Sequence, residues 1–367
     1  MQTAETRIFC IDTAKTVGMF LVFYGHFVQR MYNLGSTAAF MQFKFIYAFH
    51  MPLFFVLSGC VYKPDPLPIK DFLKKKFYTR IVPILFFNAV SFILIVAKDL
   101  LRDSVDVDMY QEGFVHLLQG TPTFNGVTWF LFCLSAVELF GYMLNPRTRS
   151  NMSLAISGGA SLAVGFFITW KIDFFTVPPV LIKNFWYVHE AFIAFGFYQF
   201  GLLLRRSGVL DRTKKLLPNL LLAGLLLCGV CYSFNLNQGL FIHNIPVVLM
   251  VYSSHGNPLL FLFTALAASC CVILLVRAAP RNRLVVRTAP NMLILLGMSG
   301  FFHRFFNAKI ASLWYPPVSE SHVVMFLICA AVTLASLGAC VPCIVILNRF
   351  FPYLVGKRPA APRPAGK

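Results

Sequence analysis

The stretch IDTAKTVGMFLVFYGHFVQR, residues 11–30, decides the fold because it is apolar overall and yet carries regularly spaced polar side chains. Lys15 and His26 are eleven residues apart in it. In an α-helix, eleven residues rise about 16.5 Å and turn by about 1100°, which returns to within about 20° of the starting face. By the same geometry, Asp12 falls about 40° from His26. The stretch therefore predicts a helix with an acid, a base and an imidazole along one stripe.

The composition predicts an all-α, polytopic integral membrane protein. Hydrophobic residues make up 58% of the 367 residues and charged residues only 13%, which excludes an ordinary soluble protein. Each apolar stretch has roughly the length needed to cross a hydrocarbon core, and the lipid interior favours helices because their backbone groups are satisfied internally. About ten spans are predicted, at residues 13–33, 43–62, 81–98, 125–144, 152–170, 184–204, 218–236, 258–277, 291–307 and 322–347.

The basic residues predict the orientation. The formal net charge is +18, and most of the 32 Lys and Arg residues fall on the side that holds both termini. By the positive-inside rule both termini are expected in the cytoplasm. The charge then reflects topology and contact with anionic membrane lipids, and it requires no nucleic-acid partner. We expect one integral domain, residues 1–350, and a disordered basic Pro/Ala-rich cytoplasmic tail, residues 351–367.

A second informative stretch, FHMPLFFVLSG at residues 49–59, lies in the second predicted span. His50 stands directly before Met-Pro. Because Pro52 has no backbone donor, we expect a kink just after His50 that leaves backbone carbonyls free near its ring.

The loop at residues 63–80 is strongly basic, with Lys75, Lys76 and Arg80 near its end. On charge alone it is either a topology anchor or a cradle for a polyanionic donor, since phosphates favour clustered cations at a helix start.

Other polar residues fall within or beside predicted spans. Glu138 is a site candidate because a membrane carboxyl is costly, and it needs a partner that the sequence does not name. His189 and Glu190 are expected at the outer interface. The CxxC pairs, Cys228/Cys231 and Cys340/Cys343, lack acidic or His neighbours, so we interpret them as packing residues and predict no metal site.

From the residues alone, this pattern favours a phosphate-bearing cytoplasmic donor whose reactive end enters the membrane. A transporter with Lys and His in its pathway would have a similar pattern.

The chain also resembles the membrane-bound acyltransferase-3 family, whose members O-acetylate bacterial glycans, and especially its fucose 4-O-acetylase-like branch. The resemblance is carried by Lys15 and His26 with ten residues between them, and by the stretch at residues 49–59. Weaker matches are Arg80 and Pro83 in R-x-x-P, WFL at residues 129–131 and FGFYQFG at residues 195–201.

The resemblance implies transfer of an acetyl group from acetyl-CoA (acyl-CoA) to a hydroxyl of an envelope polysaccharide or its lipid-linked precursor, in the bacterial inner membrane and without a permanently bound cofactor. It also implies roles for individual residues. His26 corresponds to the expected catalytic His and Lys15 to the basic residue placed towards the donor. From the chemistry of the residues themselves, we expect His26 to act as the base, or as a nucleophile that forms an acetyl-imidazole, and His50 to assist with the thioester oxygen or to orient the acceptor. The residues expected to bind the donor, besides Lys15, are Lys75, Lys76 and Arg80, and the possible supporting residues are Asp12, Glu138 and Trp129.

One departure concerns the donor site. Many relatives carry R-x-x-R before the third span, whereas this chain has Phe77 at the first of those positions. Three alternatives stay open: a transporter or flippase, an N-acetyltransferase of an amino sugar, and a non-catalytic membrane scaffold.

Overall fold

The computed structural model describes residues 9–64, 67–148, 150–171, 185–210, 216–239, 241, 245–278, 282–314 and 320–357. Within these ranges the fold is all-α, as predicted, and no β-strand forms. The helices are α1 Phe9–Asn33, α2 Thr37–Tyr47, α3 His50–Cys60, α4 Ile69–Lys76, α5 Val82–Leu100, α6 Val107–Leu118, α7 Trp129–Leu144, α8 Asn151–Lys171, α9 Val188–Arg206, α10 Leu216–Leu236, α11 Pro258–Ala278, α12 Arg283–Thr288, α13 Met292–Phe301, α14 Asn307–Trp314 and α15 His322–Phe350.

The prediction of a multi-pass membrane protein is confirmed. In the described part of the chain, eight helical segments are long and apolar enough to cross a membrane: Thr37–Cys60, Ile69–Leu100, Gly126–Arg147, Asn151–Lys171, Leu216–Leu236, Pro258–Arg277, Val285–Trp314 and His322–Phe350. The other two predicted spans, 13–33 and 184–204, correspond to α1 and α9, which have 25 and 19 residues but are more polar.

Helix α1 lies at the centre of the bundle, where it packs against α2, α3, α11, α13, α14 and α15. Its small and apolar side chains are buried along most of its length. A central helix can carry polar side chains because they face protein cavities and neighbouring helices instead of lipid. This position explains why α1 is less apolar than the helices at the periphery.

The second predicted span is broken, and the break lies one turn earlier than we expected. Helix α2 ends at Tyr47 and α3 begins at His50, so Pro52 stands in the first turn of α3. The predicted position of the kink, after His50, was wrong. Since proline cannot donate to the carbonyl four residues earlier and clashes with it, the helix is interrupted at Ala48 and restarts with Pro52 in its first turn.

Helices α3 and α9 approach each other through two glycines. A Cβ atom at Gly59 would clash with the backbone of Tyr198, and one at Gly201 would clash with the backbone of Val56. The two glycines end the stretches at residues 49–59 and 195–201, and their close approach holds α9 against α3.

The first residues of the predicted tail are folded. Residues Pro352–Val355 form a 3₁₀-helix, and the Lys357 ammonium donates to the side-chain oxygens of Asn291 and Asn348, both at 2.6 Å. Burial lowers the pKa of Lys357. Residues 358–367, the rest of the tail that we expected to be disordered, lie outside the described residues.

Candidate active site

Two cavities lie along α1, one near each of its polar residues. The first, which we call the Lys15 cavity, has a volume of about 180 Å³ and is lined by Lys15, Ser58 and Arg80 among apolar side chains. The second, the His26 cavity, also has a volume of about 180 Å³ and is lined by His26, Tyr47, His50, Trp129 and His303 among others. Of the polar stripe predicted for α1, Lys15 therefore lines one cavity and His26 the other.

The two cavities meet at three apolar side chains. Val22, Met51 and Leu296 line both of them. Val22 and Leu296 are buried, and Met51 is half-buried. We call these three residues the waist.

An ion cluster lies beside the Lys15 cavity. Arg80 donates to both carboxylate oxygens of Glu138, with Nε 3.1 Å from Oε2 and Nη2 2.7 Å from Oε1. Lys76 Nζ lies 2.9 Å from Glu138 Oε1. Arg80 and Lys76 are thus the partners that a carboxylate within a membrane span requires. Two cations around one carboxylate leave a net positive charge beside the cavity.

The structure separates the predicted basic residues. Lys76 and Arg80 contact Glu138, whereas the Lys75 side chain is exposed. Arg80 lies in a π-helical turn, Phe77–Ile81, and such turns are frequent at functional sites. The third supporting residue, Asp12, lies in the first turn of α1 and is not among the residues lining either cavity.

Tyr47 lies between Gln29 and His26 and can hold one tautomer of His26. The Tyr47 hydroxyl donates to Gln29 Oε1 at 3.3 Å, and its oxygen lies 3.2 Å from His26 Nδ1. When the single hydroxyl hydrogen points to Gln29, the Tyr47 oxygen accepts from an Nδ1–H group of His26. Neutral His26 then keeps Nε2 as the atom that can accept a proton.

His50 is fixed by the backbone of the broken span. Its Nδ1 lies 3.0 Å from the carbonyl oxygen of Ile46, near the end of α2. A carbonyl only accepts hydrogen bonds, so Nδ1 carries the hydrogen. This carbonyl also accepts from the backbone N–H of Phe49, so it is not one that Pro52 leaves free, and it orients the buried His50 ring at the wall of the His26 cavity.

A third histidine, His303, reaches the same cavity from the second π-helical turn, Phe302–Phe306. Its ring centroid lies 4.6 Å from that of His26. Arg30 Nη2 donates to His303 Nε2 at 3.3 Å and to the His303 carbonyl oxygen at 3.1 Å. The guanidinium therefore fixes Nε2 of His303 as an acceptor.

One wall of the His26 cavity is formed by residues 248–252, which belong to a turn closed by backbone bonds between Leu249 and Ser254. A buried polar chain anchors this turn to α9. Ser253 Oγ donates to Glu190 Oε2 at 3.0 Å and lies 2.8 Å from His189 Nε2, and His255 Nε2 lies 3.0 Å from Glu190 Oε1. His189 and Glu190 lie in the first turn of α9, where both side chains are buried against the neighbouring helices and loop.

A family model described as an acyltransferase domain matches residues 8–344. The chain belongs to the acyltransferase-3 family. The match names the family and not a branch within it. No curated protein and no solved structure is detectably similar to the chain. The protein is thus a membrane acyltransferase, and both cavities lie within the matched residues.

Sequence reasoning about this acyltransferase missed Tyr47, Arg30 and His303 as parts of the site. Two signals could have found Arg30 and His303. Arg30 follows His26 by four residues and so shares its helix face. His303 is an ionisable residue inside a predicted span, which by default marks a functional candidate. No group of His, Cys, Asp and Glu that could hold a metal occurs in the described ranges of the acyltransferase.

Proposed function

We propose that this acyltransferase moves an acetyl (acyl) group from acyl-CoA in the cytoplasm to a hydroxyl of an envelope polysaccharide or its lipid-linked precursor, in the bacterial inner membrane. The observation that supports this most strongly is the placement of Lys15 and His26. They lie on one helix, each lines its own cavity, and the two cavities share the three apolar side chains of the waist.

The Lys15 cavity suits the donor. Lys15 and Arg80 line it, and Lys76 adds positive charge at the ion cluster. CoA carries several phosphate charges, which clustered cations attract. Glu138 holds the Arg80 guanidinium by two hydrogen bonds, which orients it without cancelling the net positive charge.

The His26 cavity suits the acceptor. A sugar hydroxyl is a poor nucleophile at neutral pH, and a histidine base typically accelerates such an attack by about 10²- to 10⁴-fold. In the proposed step, His26 Nε2 takes the hydroxyl proton as the oxygen bonds to the thioester carbonyl carbon. The carbon–sulfur bond then breaks, and the proton passes to the CoA thiolate, so that the products are an ester and CoA-SH.

The test is transfer of radiolabelled acetyl from acetyl-CoA to cell-envelope glycan in membranes that contain the wild type or His26→Ala at matched expression. We expect label in the glycan with the wild type and at least a hundredfold less with His26→Ala, on the order of a base's contribution. His322→Ala is the matched control because His322 is exposed at the start of α15. It should leave transfer unchanged.

Two outcomes would overturn the proposal. Wild-type membranes without label above an empty-vector control, across several acceptor glycans, would exclude this acyl transfer. Label that appears only on amino groups, resistant to mild alkaline ester hydrolysis, would replace O-acylation with N-acylation.

A further inference from the structure

The waist lies between the two groups that the proposed reaction must connect. Val22 follows Lys15 by seven residues and precedes His26 by four, so along the helix it is about 10 Å from the first and about 6 Å from the second. Met51 and Leu296 close the same level of the bundle from α3 and α13, since each of them also lines both cavities.

The three waist side chains differ in how easily they can move. Val22 is 3% exposed and Leu296 is 6% exposed, so both are held by surrounding atoms. Val22 is also β-branched, which restricts its rotamers. Met51 is half-buried and unbranched, and methionine adapts readily to its surroundings. It stands between His50 and Pro52, where the break positions it in the first turn of α3.

We propose that the waist, with Met51 as its adjustable member, selects the acyl group by its width. This inference rests on the proposed function. The acceptor hydroxyl must lie within hydrogen-bond reach of His26 Nε2 while CoA remains in the Lys15 cavity. The thioester carbonyl must therefore reach the waist. The acyl substituent enters ahead of this carbonyl and passes between Val22, Met51 and Leu296. A linear acyl group presents only the width of a methylene, whereas branching next to the carbonyl adds a methyl group at the level of these three side chains.

The test compares butyryl-CoA with isobutyryl-CoA, which are isomers of equal mass that differ in width, and uses acetyl-CoA as the reference donor. Transfer to cell-envelope glycan is measured for the wild type and Met51→Ala. We expect the wild type to favour butyryl over isobutyryl in kcat/KM, and Met51→Ala to reduce that preference about tenfold, the scale on which an apolar site discriminates one methyl group.

The matched control variants enlarge one cavity and leave the three waist residues unchanged. Leu131 lines only the Lys15 cavity and Val251 only the His26 cavity, so Leu131→Ala and Val251→Ala should keep the wild-type ratio of butyryl to isobutyryl transfer. If Met51→Ala does not accumulate, Met51→Val makes a smaller change in the same direction.

The outcomes separate this inference from the proposed function. If the wild type transfers acetyl and the Met51 variants keep the wild-type ratio, the waist does not select the acyl group although the proposed function stands. The same conclusion follows if both control variants shift the ratio as much as Met51→Ala does. If no donor supports transfer by the wild type, the proposed function fails and the inference fails with it.

Discussion

The imidazole rings of His26 and His303 lie with their centroids 4.6 Å apart, although His26 belongs to α1 and His303 to the π-helical turn that follows α13. Arg30, one turn after His26, binds both Nε2 and the backbone carbonyl of His303. The pair therefore forms one unit at the wall of the His26 cavity. This unit leads to the first prediction.

We predict that His303→Ala lowers kcat for acyl transfer, because the His26 ring loses its packing neighbour and Arg30 loses a hydrogen-bond acceptor. Displacement of a catalytic group by about 1 Å can reduce the rate about a hundredfold. His303→Gln, which retains an acceptor for Arg30, should recover part of the loss. The measurement is steady-state transfer at saturating acetyl-CoA. Equal rates for the wild type and His303→Ala would contradict a role in positioning His26.

Removal of the Tyr47 hydroxyl tests the tautomer assignment. In Tyr47→Phe, no hydroxyl oxygen accepts from the Nδ1–H of His26, so the tautomer with its hydrogen on Nε2 becomes populated. In that tautomer Nε2 cannot take the proton of the acceptor hydroxyl. We expect kcat to fall about tenfold or more while the donor KM stays the same. Tyr142→Phe is the control, because the Tyr142 hydroxyl donates to the Leu67 carbonyl, away from both cavities. A drop in kcat of the same size in both variants would contradict the assignment.

The ion cluster predicts a graded effect of the basic residues on the donor KM. Arg80→Lys replaces a two-point contact with Glu138 by a point charge, and Glu138→Gln removes the carboxylate that orients Arg80. Both should raise the KM for acetyl-CoA with a smaller change in kcat. Lys75→Ala should have the weakest effect because Lys75 is exposed on α4. If Lys75→Ala raises the KM more than Arg80→Lys does, the donor phosphates bind at the exposed face of α4.

The buried Glu190 is predicted to hold the turn that forms a wall of the His26 cavity. In Glu190→Ala, Ser253 and His255 lose their shared partner, and an unsatisfied buried polar group destabilises a fold by about 1–3 kcal/mol. We expect a lower melting temperature in detergent and a higher KM for the acceptor glycan, with the KM for acetyl-CoA unchanged. Glu112→Ala, at an exposed position of α6, is the control. An unchanged acceptor KM in a destabilised Glu190→Ala protein would limit Glu190 to a structural role.

The contact between α3 and α9 gives a prediction about folding alone. Gly201→Ala places a methyl group against the Val56 backbone, which cannot move aside as a side chain could. Overpacking of this kind typically destabilises by about 1–3 kcal/mol. Gly224→Ala in α10 is the matched control, since a Cβ atom there meets nothing within 4 Å. Melting of the two variants in detergent should differ clearly, and equal melting temperatures would contradict the close approach.

The sequence by itself determined the features that depend on local periodicity and local backbone chemistry. The all-α membrane fold, the helices at the predicted spans and the common stripe of Lys15 and His26 follow from apolar length and from the angle per residue. The interruption of the second span follows from Pro52, which has no backbone donor. Its position was predicted one turn too late, because proline affects the carbonyl four residues before it.

Only the tertiary structure decided which side chains meet across helices. Three contacts join segments that are far apart in the chain: Glu138 with Arg80, His303 with His26, and Ser253 with Glu190. Such contacts depend on how helices pack and on the π-helical turns at Arg80 and His303, where an extra residue in the turn changes the face that follows. The waist between the two cavities exists for the same reason, because α1, α3 and α13 meet there.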